Sequence, residues 1–88
     1  AIRRLIHPAT VGQTNLGLSL CSLEPGEAVV LHRHPSEEAY YVLTGEGEME
    51  LEGHPPIHLR PQIAVHIPGN AAHGHRNTGD SPLVLVAV

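Results

Sequence analysis

The residues with the most obvious chemistry lie in residues 32–38, HRHPSEE. Residues two positions apart on a β-strand project from the same face, about 6.8 Å apart along the strand. The imidazoles of His32 and His34 can therefore point at one cation. The proline that follows predicts a turn, and Glu38 then opens the next strand with its carboxylate beside the two rings. This arrangement of side chains is typical of a metal site.

A second pair of histidines with the same spacing is formed by His73 and His75. A site with three imidazoles and one carboxylate suits Mn(II), Fe(II), Co(II), Ni(II), Cu(II) or Zn(II). A closed structural zinc site is disfavoured, because such sites usually recruit thiolates and neither cluster contains a cysteine. We therefore expect one divalent transition metal per chain (Fe, Mn, Ni, Co, Cu or Zn).

Short strands separated by turns must position these side chains. Turn signals rich in Gly, Pro and Asn recur every eight to twelve residues, and no segment keeps a helical period over ten residues. This pattern is typical of an all-β sandwich or barrel. It predicts eight strands and no helix, with strands at 16–23, 28–33, 39–43, 45–52, 57–60, 63–67, 72–77 and 83–88.

Two sequence motifs resemble those of the cupin superfamily. The first motif, G-x5-H-x-H-x3-E-x6-G, is matched at every position by Gly26, His32, His34, Glu38 and Gly45. The second, G-x5-P-x-G-x2-H-x3-N, is matched by Pro68, His73 and Asn77, whereas Gln62 and Asn70 stand where the family usually has glycine. The gap between the motifs is short, as in small single-domain bacterial cupins.

The resemblance implies a double-stranded β-helix (jelly-roll) barrel with a metal in its mouth. It carries over the metal ligands one by one, as His32, His34, Glu38 and His73. Glu37 competes locally with Glu38, but only Glu38 keeps the family's spacing to Gly45.

The other polar residues are assigned to the cavity or to the surface according to the face of the strand on which they lie. His75 has the parity of His73 and Tyr40 that of Glu38, so both are candidates for proton transfer in the cavity. The alternative for His75 is a packing role. Surface or loop positions are expected for the remaining histidines, His7, His54, His58 and His66, and Cys21 is expected to be a small apolar filler.

Length and composition limit the other possibilities. The chain has 88 residues, so we expect one domain over 1–88, with an N-terminal arm at about 1–12 and a barrel at about 15–88. Its one cysteine excludes an intrachain disulfide, and we expect a cytoplasmic protein. Five scattered arginines and no lysine argue against a nucleic-acid partner. The longest apolar run, residues 83–88, is far too short to span a membrane.

The function most consistent with these residues is a metal-dependent, oxygenase-like enzyme acting on a small polar organic molecule. Phe and Trp are absent, and Arg33 and Arg76 fall on the wrong face to serve as cationic clamps, so large aromatic or phosphorylated substrates are poorly supported. The alternatives are a cupin isomerase or lyase and a non-catalytic module that binds a metal or small ligand. Fold does not select among these alternatives.

The chain is also expected to form a homodimer. Residues 83–88 are apolar on both faces of a strand, and so is the segment that contains Tyr41 and Leu43. A lone two-layer barrel would expose one of those faces to water, whereas a twofold-related copy would cover it. The segment Ile2–Ile6 has no evident partner within the barrel and is expected to add to the partner's sheet.

Overall fold

The computed structural model describes residues 2–12 and 17–88. In these residues nine strands and one short helix follow in order: β1 (Ile2–Ile6), α1 (Pro8–Val11), β2 (Leu18–Leu23), β3 (Ala28–His32), β4 (Glu38–Thr44), β5 (Gly47–Leu51), β6 (Ile57–Leu59), β7 (Ala64–Ile67), β8 (His73–Asn77) and β9 (Leu83–Ala87). None of the helical structure in this part of the chain is long and apolar enough to cross a membrane.

The strands form two antiparallel sheets. The first has five strands in the order β1-β2-β9-β4-β7, and the second has four in the order β3-β8-β5-β6. Sequence neighbours such as β3 and β4 thus lie in different sheets, which is the arrangement of a double-stranded β-helix. The predicted all-β fold class is confirmed.

Alternating side chains build the core between the sheets, because every second residue of a strand faces inward. On β9, Leu83 and Leu85 are buried and Val84 and Val86 are only partly covered. On β5, Met49 and Leu51 are buried while Glu50 is exposed. Because β5 lies between β8 and β6, it is an interior strand, and its glutamates lie on the outer face of the sheet.

Two expectations about the first residues were wrong. Ile2–Ile6 finds a partner in its own chain, because it pairs antiparallel with β2, with Ile2 opposite Cys21 and Arg4 opposite Ser19. Four of its five residues are exposed, which suits a strand at the sheet edge, and the sequence pattern alone did not place it there. The expectation of no helix also fails, since Pro8–Val11 forms one helical turn. The predicted start of β2 at residue 16 lies outside the described residues.

Backbone conformation explains the two departures from the second motif. Gln62 and Asn70 have φ values of 71° and 64°, which lie in the left-handed region that favours glycine. Asn tolerates this region better than most residues. Both positions therefore keep the glycine-like turn without glycine, and the Asn70 amide donates to the carbonyl of His34 at 2.7 Å, next to the first motif.

Candidate metal centre

Strand ends bring the predicted ligands to one end of the barrel. His32 ends β3 and lies opposite His73, the first residue of β8. Glu38 begins β4 on the facing sheet, and His34 lies in the connection between β3 and β4. Four side chains that are up to 41 positions apart in the chain thus meet at the same level of the barrel.

The distances among these groups are those of a compact cluster. One nitrogen from each of His32, His34 and His73 lies within 4.8 Å of the other two. The carboxylate oxygen Oε1 of Glu38 is 2.9 Å from Nε2 of His34 and 3.3 Å from Nε2 of His73. The structure therefore brings all four predicted ligand side chains together.

Backbone carbonyls orient the three imidazoles. In His32, His34 and His73 the Nδ1 atom lies 2.8–2.9 Å from a carbonyl oxygen two residues away in the chain. A carbonyl only accepts hydrogen bonds, so Nδ1 carries the proton and donates it. In the neutral ring this leaves the lone pair on Nε2, which is the form that ligates a metal.

The resulting cluster consists of acceptors with no donor among them. When the two rings carry only the Nδ1 proton, the Nε2 lone pairs of His34 and His73 converge on an oxygen of Glu38, which also only accepts. Nε2 of His73 has no hydrogen-bond partner in the described structure, although the side chain is 1% exposed. An unpartnered buried acceptor costs free energy that a cation would recover. The donor set therefore fits a divalent transition metal.

A cavity of about 200 Å³ opens beside this cluster. His32, His34 and Glu38 line one side of it. The other walls are formed by residues of both sheets, namely Ile2, Ser19, Cys21, Val29, Tyr40, His75, Leu85 and Ala87. A bound molecule would contact the histidine cluster on one side and a mainly apolar wall on the other.

His75 is buried in this wall, as its parity predicted. It is 5% exposed, and its ring centroid lies 5.5 Å from that of Tyr40. Burial lowers the pKa of His75 to about 4, with further lowering by the neighbouring rings of His73 and His32. His75 is therefore a neutral imidazole at neutral pH, and its Nδ1 has no hydrogen-bond partner among the described residues.

Tyr40 lies between His75 and the histidine cluster. Its hydroxyl donates to Oε1 of Glu38 over 3.5 Å, and the residue is 6% exposed. Burial raises the pKa of Tyr40 far above its usual value, and the Glu38 carboxylate raises it further. The phenol therefore keeps its proton and remains a hydrogen-bond donor in the cavity.

Cys21 is a cavity residue that the sequence analysis missed. Its Sγ lies 3.9 Å from Nε2 of His75, and the side chain lines the cavity. Burial raises the pKa of the Cys21 thiol, and the charge of Glu38 adds to the effect. The parity of β2, with Cys21 and Leu23 both buried, is the signal that could have placed it inward.

The histidines and the glutamate expected outside the site lie outside it. His66 and His58 are exposed and contact the exposed carboxylates of Glu37 and Glu46 at 3.0 and 3.4 Å. His54 is exposed in the turn that follows β5. The carboxylate of Glu37 thus lies on the outer surface, whereas that of Glu38 contacts the histidine cluster. His7 accepts from the Ala9 amide beside the short helix.

Asn77 of the second motif holds the far end of β8 in place. Its side-chain amide donates to the carbonyls of Leu23 and Ser81 at 2.9 and 2.8 Å, and its oxygen accepts from the Gly79 amide at 2.8 Å. The side chain is buried and fully used. This motif residue therefore fastens a connection and does not take part in the cavity.

Comparison with known proteins gives a family and several relatives. The family model described as "Cupin domain" matches residues 19–88. The polyketide synthase CurC of Streptomyces cyaneus is 38% identical over 86 residues, which cover 97% of this chain and 55% of CurC. The 5-nitrosalicylic acid 1,2-dioxygenase of a Bradyrhizobium species is 33% identical over 66 residues, which cover 75% of this chain and 31% of that enzyme.

The dimethylsulfoniopropionate lyase DddQ of Ruegeria pomeroyi is similar in both sequence and structure. It is 42% identical over 57 residues, which cover 65% of this chain and 28% of DddQ. Its crystal structure superimposes with a TM-score of 0.85 and 33% identity, covering 99% of this chain and 44% of that one. The chain thus spans about half of CurC and less of the two enzymes. The family match and the superposition agree, and the chain belongs to the cupin family.

Proposed function

We propose that this chain is a metal-dependent cupin enzyme with oxygenase-type chemistry toward a small polar organic molecule. The observation that carries the proposal is the cluster of converging acceptors, in which imidazole nitrogens and one carboxylate oxygen meet with no donor between them. It adjoins a cavity whose opposite wall holds a neutral imidazole and a protonated phenol.

In this proposal His32, His34, Glu38 and His73 hold one divalent transition metal. When bound, such a metal supplies Lewis-acid polarisation of substrate oxygens and, if it is redox-active, the capacity to react with dioxygen. The backbone carbonyls behind the three rings keep each imidazole in the ligating tautomer. The metal could be Fe, Mn, Ni, Co, Cu or Zn.

The proton chemistry falls to His75 and Tyr40. His75 is neutral and can accept a proton from a substrate in the cavity, and Tyr40 can donate a hydrogen bond to a substrate oxygen. Their ring centroids lie 5.5 Å apart, so one small molecule can contact both residues. These two side chains are the proposed catalytic residues.

The cavity supports a small substrate. Its volume of about 200 Å³ is below the roughly 300–1,000 Å³ typical of pockets for drug-sized ligands. The chain contains no Phe or Trp with which to build an aromatic platform. The relatives named for a nitrosalicylic acid dioxygenase and a dimethylsulfoniopropionate lyase support substrates of this size class.

A lyase is the second candidate. It is favoured by the similarity to DddQ and by the neutral imidazole of His75, whose free lone pair offers a proton acceptor in the cavity. Lyase chemistry consumes no oxygen, whereas oxygenase chemistry requires it. This difference separates the two candidates experimentally.

The test begins with elemental analysis of the purified protein and continues with turnover assays on Fe(II)- and Mn(II)-loaded protein. Candidate diols, dicarbonyls and catechols are supplied in air and under strictly anaerobic conditions, with His75→Phe as a variant that keeps the proposed ligands. Oxygen consumption coupled to product supports the oxygenase. Equal turnover without oxygen supports the lyase. Bound metal with no turnover in either condition favours the non-catalytic binding module.

We also propose a cytoplasmic homodimer, formed through the outer face of the five-stranded sheet. On that face Tyr41 and Leu43 are each 43% exposed, next to the partly covered Val84 and Val86 of β9. A second copy related by a twofold axis would bury this apolar surface against itself. The single cysteine, which is free and buried, supports a reducing compartment.

A further inference from the structure

One row of residues crosses the five-stranded sheet at the level of Tyr40. In the strand register Tyr40 lies opposite Ala87, Ala87 opposite Ser19, and Ser19 opposite Arg4. Tyr40, Ala87 and Ser19 all line the cavity. Arg4 is therefore the next position in a row whose other three members face the cavity.

Strand alternation places Arg4 on the same face as these neighbours. Ile2, two residues before Arg4 on β1, lines the cavity, and residues two apart on a strand share a face. Arg3, between them, lies opposite Leu20 and falls on the outer face. The two adjacent arginines therefore belong to opposite sides of the sheet.

In the strand register Arg4 belongs to a row one level nearer to the histidine cluster than the row of Ile2. Ile2 belongs to the row of Cys21, Leu85 and Val42, whereas Arg4 belongs to the row of Tyr40. On β4 the order from the mouth inward is Glu38, Tyr40 and then Val42. Arg4 thus lies on the cavity side of the edge strand, next to the lining residue Ser19 and one row nearer to the mouth than Ile2, although it is not itself among the lining residues.

The guanidinium of Arg4 has no ion pair or hydrogen bond with any residue in 2–12 or 17–88. By contrast, Arg33, which directly follows β3, and Arg76 of β8 contact the carboxylates of Glu52 and Glu48, each at 3.7 Å. Arg4 is exposed and has a long, flexible side chain. It is available to a ligand that enters the cavity.

We infer that Arg4 binds the carboxylate of the substrate, so that the substrate class is a small carboxylic acid in its ionised form. The planar guanidinium presents paired N–H donors that match a carboxylate in two parallel hydrogen bonds. A phosphate site usually needs more than one cationic group. Arg4 is the one arginine on the cavity side of the described strands β1 and β2, which favours a carboxylate. This inference rests on the proposed function, since it concerns the same cavity.

The test compares Arg4→Gln with Arg3→Gln, a matched control that removes the same charge one position away on the outer face. Zn(II)-loaded protein is titrated with propionate and benzoate, and with their uncharged amides, by NMR chemical-shift mapping. Arg4→Gln is expected to weaken carboxylate affinity roughly 10- to 100-fold, as loss of a charge-assisted pair does. Arg3→Gln should stay within about twofold of the unsubstituted chain, as expected for an exposed charge.

Three results would overturn the inference. They are equal weakening by the two variants, equal affinity of the unsubstituted chain for acids and amides, and no binding of either acid. The stoichiometry of bound Zn(II) is measured in every sample and should be unchanged by Arg4→Gln. Failure of the chain to bind metal would contradict the proposed function instead, and the Arg4 comparison is then made on the metal-free chain.

Discussion

The hydroxyl of Tyr40 and the imidazole of His34 meet on the same oxygen of Glu38, at 3.5 and 2.9 Å. Tyr40 and Glu38 are two residues apart on β4, so one strand face supplies both the carboxylate and the phenol. The Tyr40 hydroxyl is the donor that steadies the carboxylate from the cavity side. A single strand thereby links the proposed metal centre to the proposed substrate space.

Removing one imidazole should strongly weaken metal binding. In His73→Ala and in His34→Ala the proposed ligand set falls from four side chains to three. We expect at least a tenfold loss of affinity, measured by competition with a chromophoric chelator, since even second-shell changes cost 10- to 100-fold. His54→Ala is the control, because His54 is exposed in a turn outside the cluster. A larger loss in His54→Ala than in His73→Ala would show that the ligands are wrongly assigned.

Two substitutions at left-handed positions should change stability in opposite directions. Gln62→Gly should raise the free energy of unfolding by about 0.5–1 kcal/mol, because glycine adopts the φ of 71° without strain. Gly45→Ala should lower it by about 2 kcal/mol or more, since φ is 87° and a Cβ would collide with the carbonyl oxygen of Pro82. Urea denaturation of the three chains measures both changes. Stabilisation by Gly45→Ala would contradict the backbone explanation.

Much of the site was predictable from the sequence because the two motifs fix spacing along strands. His32, His34 and Glu38 lie within seven consecutive residues. The inward direction of His75 and Tyr40 follows from the alternation of side chains along a strand. What the sequence could not supply was pairing between distant strands. The position of β1 beside β2, and with it the place of Arg4, depends on strand pairing that no local pattern encodes.

The thiol of Cys21 should resist alkylation in the folded chain. Its pKa is raised from the usual 9.0 by burial, so at pH 8.5 less thiolate is present than in an unfolded chain. The rate of reaction with iodoacetamide, followed by mass spectrometry, should rise strongly when urea is added. Equal rates in native and denatured protein would contradict the buried position.

The same shift predicts a loss of stability at alkaline pH. The unfolded chain releases the Cys21 proton first, because its pKa is the lower of the two. The buried thiol contributes its full stabilisation below pH 9.0, and this stabilisation is lost as the pH rises toward the pKa of Cys21 in the folded chain. Cys21→Ala should flatten this part of the curve of unfolding free energy against pH. An unchanged slope would contradict the raised pKa of Cys21.

Light scattering at micromolar concentration tests the homodimer. The formula mass of one chain is 9.4 kDa, and we expect a mass near twice that value. Tyr41→Glu places a charge on the proposed apolar face and should shift the protein toward the monomer. Arg60→Glu, an exposed position beyond the four-stranded sheet's β6, should leave the mass unchanged. A mass of one chain for the unsubstituted protein would exclude the dimer.

The three ring-orienting hydrogen bonds all end on main-chain carbonyls. The imidazoles are therefore held by the path of the backbone, and no neighbouring side chain is needed to aim them. Residues of the opposite wall, such as Ser19 and Cys21, make none of these hydrogen bonds. In such a barrel, substitutions in the cavity wall leave the hydrogen bonds that orient the histidines in place. The fold is therefore a suitable starting scaffold for directed evolution toward new substrates.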